Sequence, residues 1–217
     1  MSTILVGAGP GLGQAIAERF SRDGHPVGLI ARSRDRLEEQ ARSLRAAGAV
    51  VATASADVCD AEGLCAAIDH LHDKLGAPEV LVYNAALADR RPPCELTADD
   101  LLHALRVDVV GALIATNHVA PSMKAAGRGT ILFTGGGYAD RPWAGMASLG
   151  VGKAALRNLA RCFAQELGAH QVHVATVTLH GRIQEGTALA PTRIAEVYAA
   201  LHREPAGAWR TEVDLPS

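Results

Sequence analysis

Aromatic side chains are scarce in this chain: three Phe, two Trp and three Tyr make up 4% of its 217 residues. So few rings do not furnish a stacking platform for nucleic-acid bases. Charge of one sign is also lacking, with 21 Lys and Arg against 23 Asp and Glu and a formal net charge of -2. Without a basic footprint, nucleic acid is not an expected partner. No run approaches the ~18 apolar residues of a bilayer-spanning helix, so no membrane association is expected. The opening residues, Met1-Ser2-Thr3-Ile4-Leu5-Val6-Gly7, lack the basic and long apolar regions of a secretory signal. The expectation is a soluble cytoplasmic protein. Cys59, Cys65, Cys94 and Cys162 form no Cys-x-x-Cys pair, which points to reduced thiols rather than disulfides or a metal site. His70 and His72 are two residues apart on a polar helix and do not share a face, so no metal is expected there either.

What is present is ordinary globular material, 48% hydrophobic and 20% charged, enough for one well-buried domain over residues 1–217. Short apolar runs alternate with longer helical patterns, as in βαβ units on a parallel sheet. Strands are predicted at Thr3–Val6, Pro26–Ala31, Val50–Ser55, Val80–Tyr83, Thr130–Thr134 and Val172–Thr178, with a final edge strand at Trp209–Leu215. Helices are predicted at Leu12–Asp23, Asp35–Ala47, Glu62–Leu75, Ala98–Ala126, Ala147–Leu167 and Thr192–His202, with Thr97 as an N-cap. The fold class is α/β, a single-domain doubly wound parallel sheet of Rossmann type.

The segment Gly7-Ala8-Gly9-Pro10-Gly11-Leu12-Gly13 joins the first strand to the first helix. It fits Gly-x-x-x-Gly-x-Gly through Gly7, Gly11 and Gly13, and not Gly-x-Gly-x-x-Gly, because position 12 is leucine. Glycines there let the chain turn tightly and let a pyrophosphate approach free N–H groups at the helix start. At the end of the second strand a carboxylate would hydrogen-bond the ribose 2′-hydroxyl of NAD. The chain instead reads Ile30-Ala31-Arg32-Ser33-Arg34, and a guanidinium beside a hydroxyl suits a 2′-phosphate. NADP(H) is the expected cofactor.

The glycine spacing, Asp57-Val58 after the third strand, Tyr83-Asn84-Ala85-Ala86 after the fourth, Gly129-Thr130-Ile131-Leu132 and the helix holding Lys153 together resemble the short-chain dehydrogenase/reductase family over nearly the whole chain. The resemblance implies that Gly9 and Leu12 in the turn, Asp57 and Val58 at the adenine, Asn84 at the central sheet, and Gly181 and Ile183 after the sixth strand serve cofactor binding. It implies a homodimer or homotetramer assembled through the two long helices. It also implies a catalytic Tyr-x-x-x-Lys, whose lysine lowers the tyrosine pKa so that the phenol can protonate a carbonyl receiving hydride.

Three catalytic positions depart from that pattern. The family's serine falls at Gly136, its helix asparagine at Asp108 and its tyrosine at Leu149, which can neither donate nor accept a proton. A tyrosine at position 146 would fit the related Tyr-x6-Lys register, but that residue is Met146. Lys153 remains, as a ligand for the nicotinamide ribose. Asp108 is a candidate to stabilise an iminium or to act as an acid if burial raises its pKa, and Tyr138 is a candidate replacement phenol. Ser148 and His180 are weaker candidates. The expected function is an atypical NADP(H)-dependent oxidoreductase moving hydride to or from a small imine, enone or ketone. The alternatives are a redox-silent isomerase, cyclase or lyase on the same scaffold, or a non-catalytic cofactor-binding protein.

Overall fold

The computed structural model describes residues 2–216. The first strand, β1 (Ser2–Val6), is buried at every residue, as a strand covered on both faces must be. Its side chains alternate between layers: Ile4 and Val6 enter one core, Leu5 the other. The same alternation repeats in β4 (Pro78–Tyr83), where Leu81 and Tyr83 face the first core and Val80 and Val82 the second. The other strands are β2 (Val27–Ala31), β3 (Val51–Ser55), β5 (Gly129–Gly136), β6 (Val172–His180) and β7 (Glu212–Pro216). All pair in parallel in the order β3-β2-β1-β4-β5-β6-β7.

Helices α1 (Leu12–Arg22), α2 (Arg34–Ala46) and α7 (Pro191–His202) cover the face that carries Leu5 and Leu132. Helices α3 (Ala61–Leu75), α5 (Gly111–Ala126) and α6 (Ala147–Gly168) cover the face that carries Ile4 and Phe133. The strand order reverses between β1 and β4, so the crevice of this doubly wound sheet opens at the carboxyl ends of those strands. Among the described residues, no helix is long and apolar enough to cross a membrane.

The predicted helix over Ala98–Ala126 is continuous but not uniform. Helix α4 (Ala98–Leu105) starts at a capping box between Thr97 and Asp100, then widens into a π turn at Arg106–Val110 before α5. Tyr83 accounts for the widening: its buried hydroxyl donates to the Val107 carbonyl at 2.5 Å, and Gly111 leaves room for that hydroxyl. Strand boundaries also shift: β4 begins at Pro78 rather than Val80, and β5 runs on to Gly136 rather than Thr134. Strand β6 runs on to His180, and β7 begins at Glu212 rather than Trp209. The Trp209 ring is instead stacked on His173 at 5.2 Å, and its indole N–H donates to the Glu204 carbonyl.

Candidate active site

The glycine turn sits at the mouth of the crevice, and its glycines do different work. Gly7 has φ +87°, and a Cβ there would collide with the backbone of Ala85. Gly13 is confined more mildly, with Ala8 Cα 3.2 Å from where its Cβ would lie. Gly9 and Gly11 face open space, so their backbone is bare towards the cleft. Two cavities meet on these residues, sharing Gly9, Pro10 and Gly11. One, of about 540 Å³, extends across Asn84, Thr134 and Lys153 to Tyr138, Leu149, His180, Gly181 and Ile183. The other, of about 760 Å³, extends over Arg32, Ser33, Arg36 and Ser43. Glu18 and Glu39 also border it.

A chain of hydrogen bonds forms the floor of the first cavity. The Asn84 amide donates to the Gly7 carbonyl at 3.0 Å, tying the glycine turn to β4. The Thr134 hydroxyl donates to the Asn84 side-chain oxygen at 2.8 Å and bonds the Tyr198 hydroxyl at 2.7 Å. Tyr198 lies on α7 and is fully buried, and burial pushes its phenol well above the usual range. The backbone carbonyl of Thr134 accepts from Lys153 Nζ at 2.7 Å. Strands β1, β4 and β5 and helices α6 and α7 are thereby locked together around one end of the cleft.

Lys153 is buried yet borders the cavity. Burial lowers its pKa, and the negative charge of Asp108 opposes that shift. Asp108, in the π turn, is fully buried, with Oδ1 accepting the Leu87 N–H at 2.8 Å. Its Oδ2 has no hydrogen-bond partner among the described residues and packs against Gly152, where any side chain would strike it. Burial raises the Asp108 carboxyl to about 6, against the pull of Lys153 and the Leu87 N–H.

Placement separates the sequence candidates. Gly9, Gly11, Leu12, Gly13, Asn84, Tyr138, Lys153, Gly181 and Ile183 all border the first cavity, and Arg32 and Ser33 border the second. The Ser33 hydroxyl also caps α2 by accepting the Arg36 N–H. Asp108 does not line the cavity: Gly152 packs against its Oδ2, and its charge acts on Lys153, which does border the cleft. Asp57 and Val58 border neither cavity. Asp57 instead accepts the Cys59 N–H at 2.9 Å, and Val58 is buried against α3 and α5. Ser148 is buried, its hydroxyl has no partner among the described residues, and it does not border the cleft.

Leu149 borders the cleft where the resemblance implies the acid. Tyr138 packs its ring against Trp143 at 6.0 Å. The chain's other two tyrosines are buried in the protein, so among the described residues Tyr138 is the phenol at this cavity. His180 borders it too, its Nε2 held by Asp214 at 2.6 Å.

Sequence reasoning missed Arg36, Tyr198 and Asp214. Arg36 has a local signal, since it lies four residues after Arg32 at the start of α2. Tyr198 and Asp214 have none, because they meet Thr134 and His180 only through the tertiary fold.

The profile of the family described as short chain dehydrogenase matches residues 2–187. The chain is 28% identical over 178 residues to a tropinone reductase homolog of Arabidopsis thaliana, covering 82% of this chain and 66% of that protein. It is 31% identical over 178 residues to the cyclic-di-GMP-binding biofilm dispersal mediator protein of Escherichia coli K12, covering 81% and 70%. A metagenomic short-chain oxidoreductase solved in complex with NADP superposes with a TM-score of 0.91 at 27% identity, over 100% of this chain and 97% of that one. The alignment with the Arabidopsis protein thus spans just under two thirds of its length.

Proposed function

The chain belongs to the short-chain dehydrogenase family, and from that premise we propose that it is an NADP(H)-dependent oxidoreductase with a non-standard active site. The observation that carries this reading is the bare backbone of Gly9 and Gly11 running into a cavity walled by Arg32, Ser33 and Arg36. Side chains at either glycine would fill the cradle where a pyrophosphate fits. The two arginines offer planar cations to a 2′-phosphate, and the residue at the end of β2 is not a carboxylate that would repel one. When bound, the nicotinamide dinucleotide supplies or accepts hydride.

The remaining roles belong to this chain. Lys153 Nζ spends one donor on Thr134, which leaves two for ribose hydroxyls at the cavity wall. Asp108 is a positioning residue, its negative charge opposing the burial that lowers the Lys153 pKa. Leu149, Ala86, Ala88, Leu179 and Ile183 make the wall beyond the lysine apolar, suited to a small imine, enone or ketone. Tyr138 would give the proton that a ketone needs, whereas an iminium already carries its proton. Exposed Leu102, Val110, Leu113 and Val151 on α4, the π turn, α5 and α6 fit a second copy, giving a homodimer or homotetramer. Leu149 favours one competing reading, a redox-silent isomerase, cyclase or lyase in the same cleft.

Fluorescence titration with NADPH and NADH, followed by NADPH consumption over a panel of imines, enones and ketones, tests the proposal. Tighter NADPH binding and stoichiometric reduced product are expected. Tighter NADH binding would overturn the cofactor assignment, and conversion of substrate without NADPH consumption would favour the redox-silent reading.

A further inference from the structure

At the opposite end of the sheet from the cleft, three segments distant in sequence converge. His25 precedes β2, Glu79 lies near the start of β4 and His202 ends α7. One ring nitrogen of each histidine and one Glu79 carboxylate oxygen lie within 4.8 Å of one another. We propose that His25, Glu79 and His202 form a binding site for a late first-row divalent cation, Zn²⁺ foremost, which clips this end of the fold together.

Three observations beyond proximity support the site. The first concerns the backbone at Glu79. Ser2 pairs with Pro78 and Thr3 with Val80, so the register of β1 against β4 slips at Glu79 and leaves it as the unpaired residue of a bulge. Bulges re-aim a side chain out of the regular pleat. The Glu79 carboxylate takes part in no salt bridge among the described residues.

The second concerns the imidazoles. Nδ1 of His25 lies 3.2 Å from the Thr3 hydroxyl, and Nδ1 of His202 lies 2.9 Å from the Thr130 hydroxyl. A hydrogen bond to the second ring nitrogen is how metal-binding histidines are oriented and their tautomer chosen, with the other nitrogen left to coordinate. Thr3 and Thr130 are the second residues of β1 and β5, so the rigid sheet supplies both supports.

The third is ring packing. The two imidazoles stand edge to face with centroids 5.2 Å apart, and both pack on Phe20, at 5.7 Å from His25 and 5.9 Å from His202. Phe20 is fully buried and cannot yield, so the rings are held in place before any cation arrives. Two imidazole nitrogens and one carboxylate oxygen suit zinc, with a fourth position left to water. The other cluster of this kind among the described residues, Asp140, His180 and Asp214, is already served by a cation: Arg157 pairs with Asp140 and reaches Asp214 at 3.7 Å.

The test uses the full chain, freed of any affinity tag and stripped with a chelator, titrated with Zn²⁺ by calorimetry and with Co²⁺ by visible absorption. One equivalent of Zn²⁺ is expected, together with intense ligand-field bands from four-coordinate Co²⁺ and a Tm that rises with metal. His202→Gln should abolish the stoichiometric binding. The near-isosteric Glu79→Gln and Thr130→Val should fold normally, the second weakening Zn²⁺ by about 10- to 100-fold through the loss of its hydrogen bond to the ring. No stoichiometric Zn²⁺ binding would overturn the proposal. So would binding that Glu79→Gln and His202→Gln leave unchanged.

Discussion

Replacing Asp108 by asparagine should remove a pH dependence from the stability of the whole domain. The carboxyl is fully buried and its pKa is raised to about 6 from the ordinary 3.8. Ionising it therefore costs about 3 kcal/mol more in the folded chain than in the unfolded one. The folded value lies above the unfolded value, so the stabilisation from the protonated form is complete below about pH 3.8 and is lost as pH rises through about 6. Between pH 5 and pH 8 this site alone should lower wild-type stability by about 1.4 kcal/mol, roughly 3–6 °C in Tm for a domain of this size. The amide keeps an acceptor for the Leu87 N–H and does not titrate. Thermal unfolding of wild type and Asp108→Asn, measured without cofactor across that range, should show the variant gaining on wild type as pH rises. Two parallel curves would refute the reasoning, because they would mean that Asp108 does not change its protonation there.

Other substitutions probe the cleft. Arg32→Ala should weaken NADPH about 10- to 100-fold, the loss of a charge-assisted hydrogen bond, and leave NADH nearly unchanged by fluorescence titration. Leu149→Tyr should place a phenol at the cavity wall one helical turn from Lys153 and raise ketone reduction by about 100-fold or more if an acid is what the site lacks. An unchanged rate would point to a substrate that needs no proton. Gly7→Ala, forced to φ +87° against Ala85, should cost at least about 2 kcal/mol, read as a fall in Tm of roughly 4 °C or more.

The fold was legible because each strand announces itself locally. Thr3–Val6 and Val80–Tyr83 are short, mostly apolar runs, and Gly7 stands at the bend between the first strand and its helix. Lys153 and the glycine cradle were legible for the same reason, being fixed by spacing within one helix and one turn. What stayed hidden depends on distant partners. The π turn around Asp108 follows from Tyr83, 24 residues away, taking a carbonyl from the helix. The late start of β7 follows from Trp209 stacking on His173. Asp108 falls where the resemblance places the helix asparagine, which makes it a candidate to act on substrate, yet Gly152 from α6 packs against its carboxylate. The pairing of His25 with His202 spans nearly the entire chain, and no spacing rule reaches that far.

The wide turn at Arg106–Val110 also works as a phase adjuster. An α-helix rotates about 100° per residue, so taking in extra chain at one point re-aims everything after it. Ala112, Ala115 and Val119 point at the sheet because of that offset, and Asp108 is turned inward by it. A one-residue deletion there would let the helix wind evenly while swinging the following stripe away from its core. Insertions and deletions in this stretch should accordingly be tolerated far less than in an ordinary surface helix.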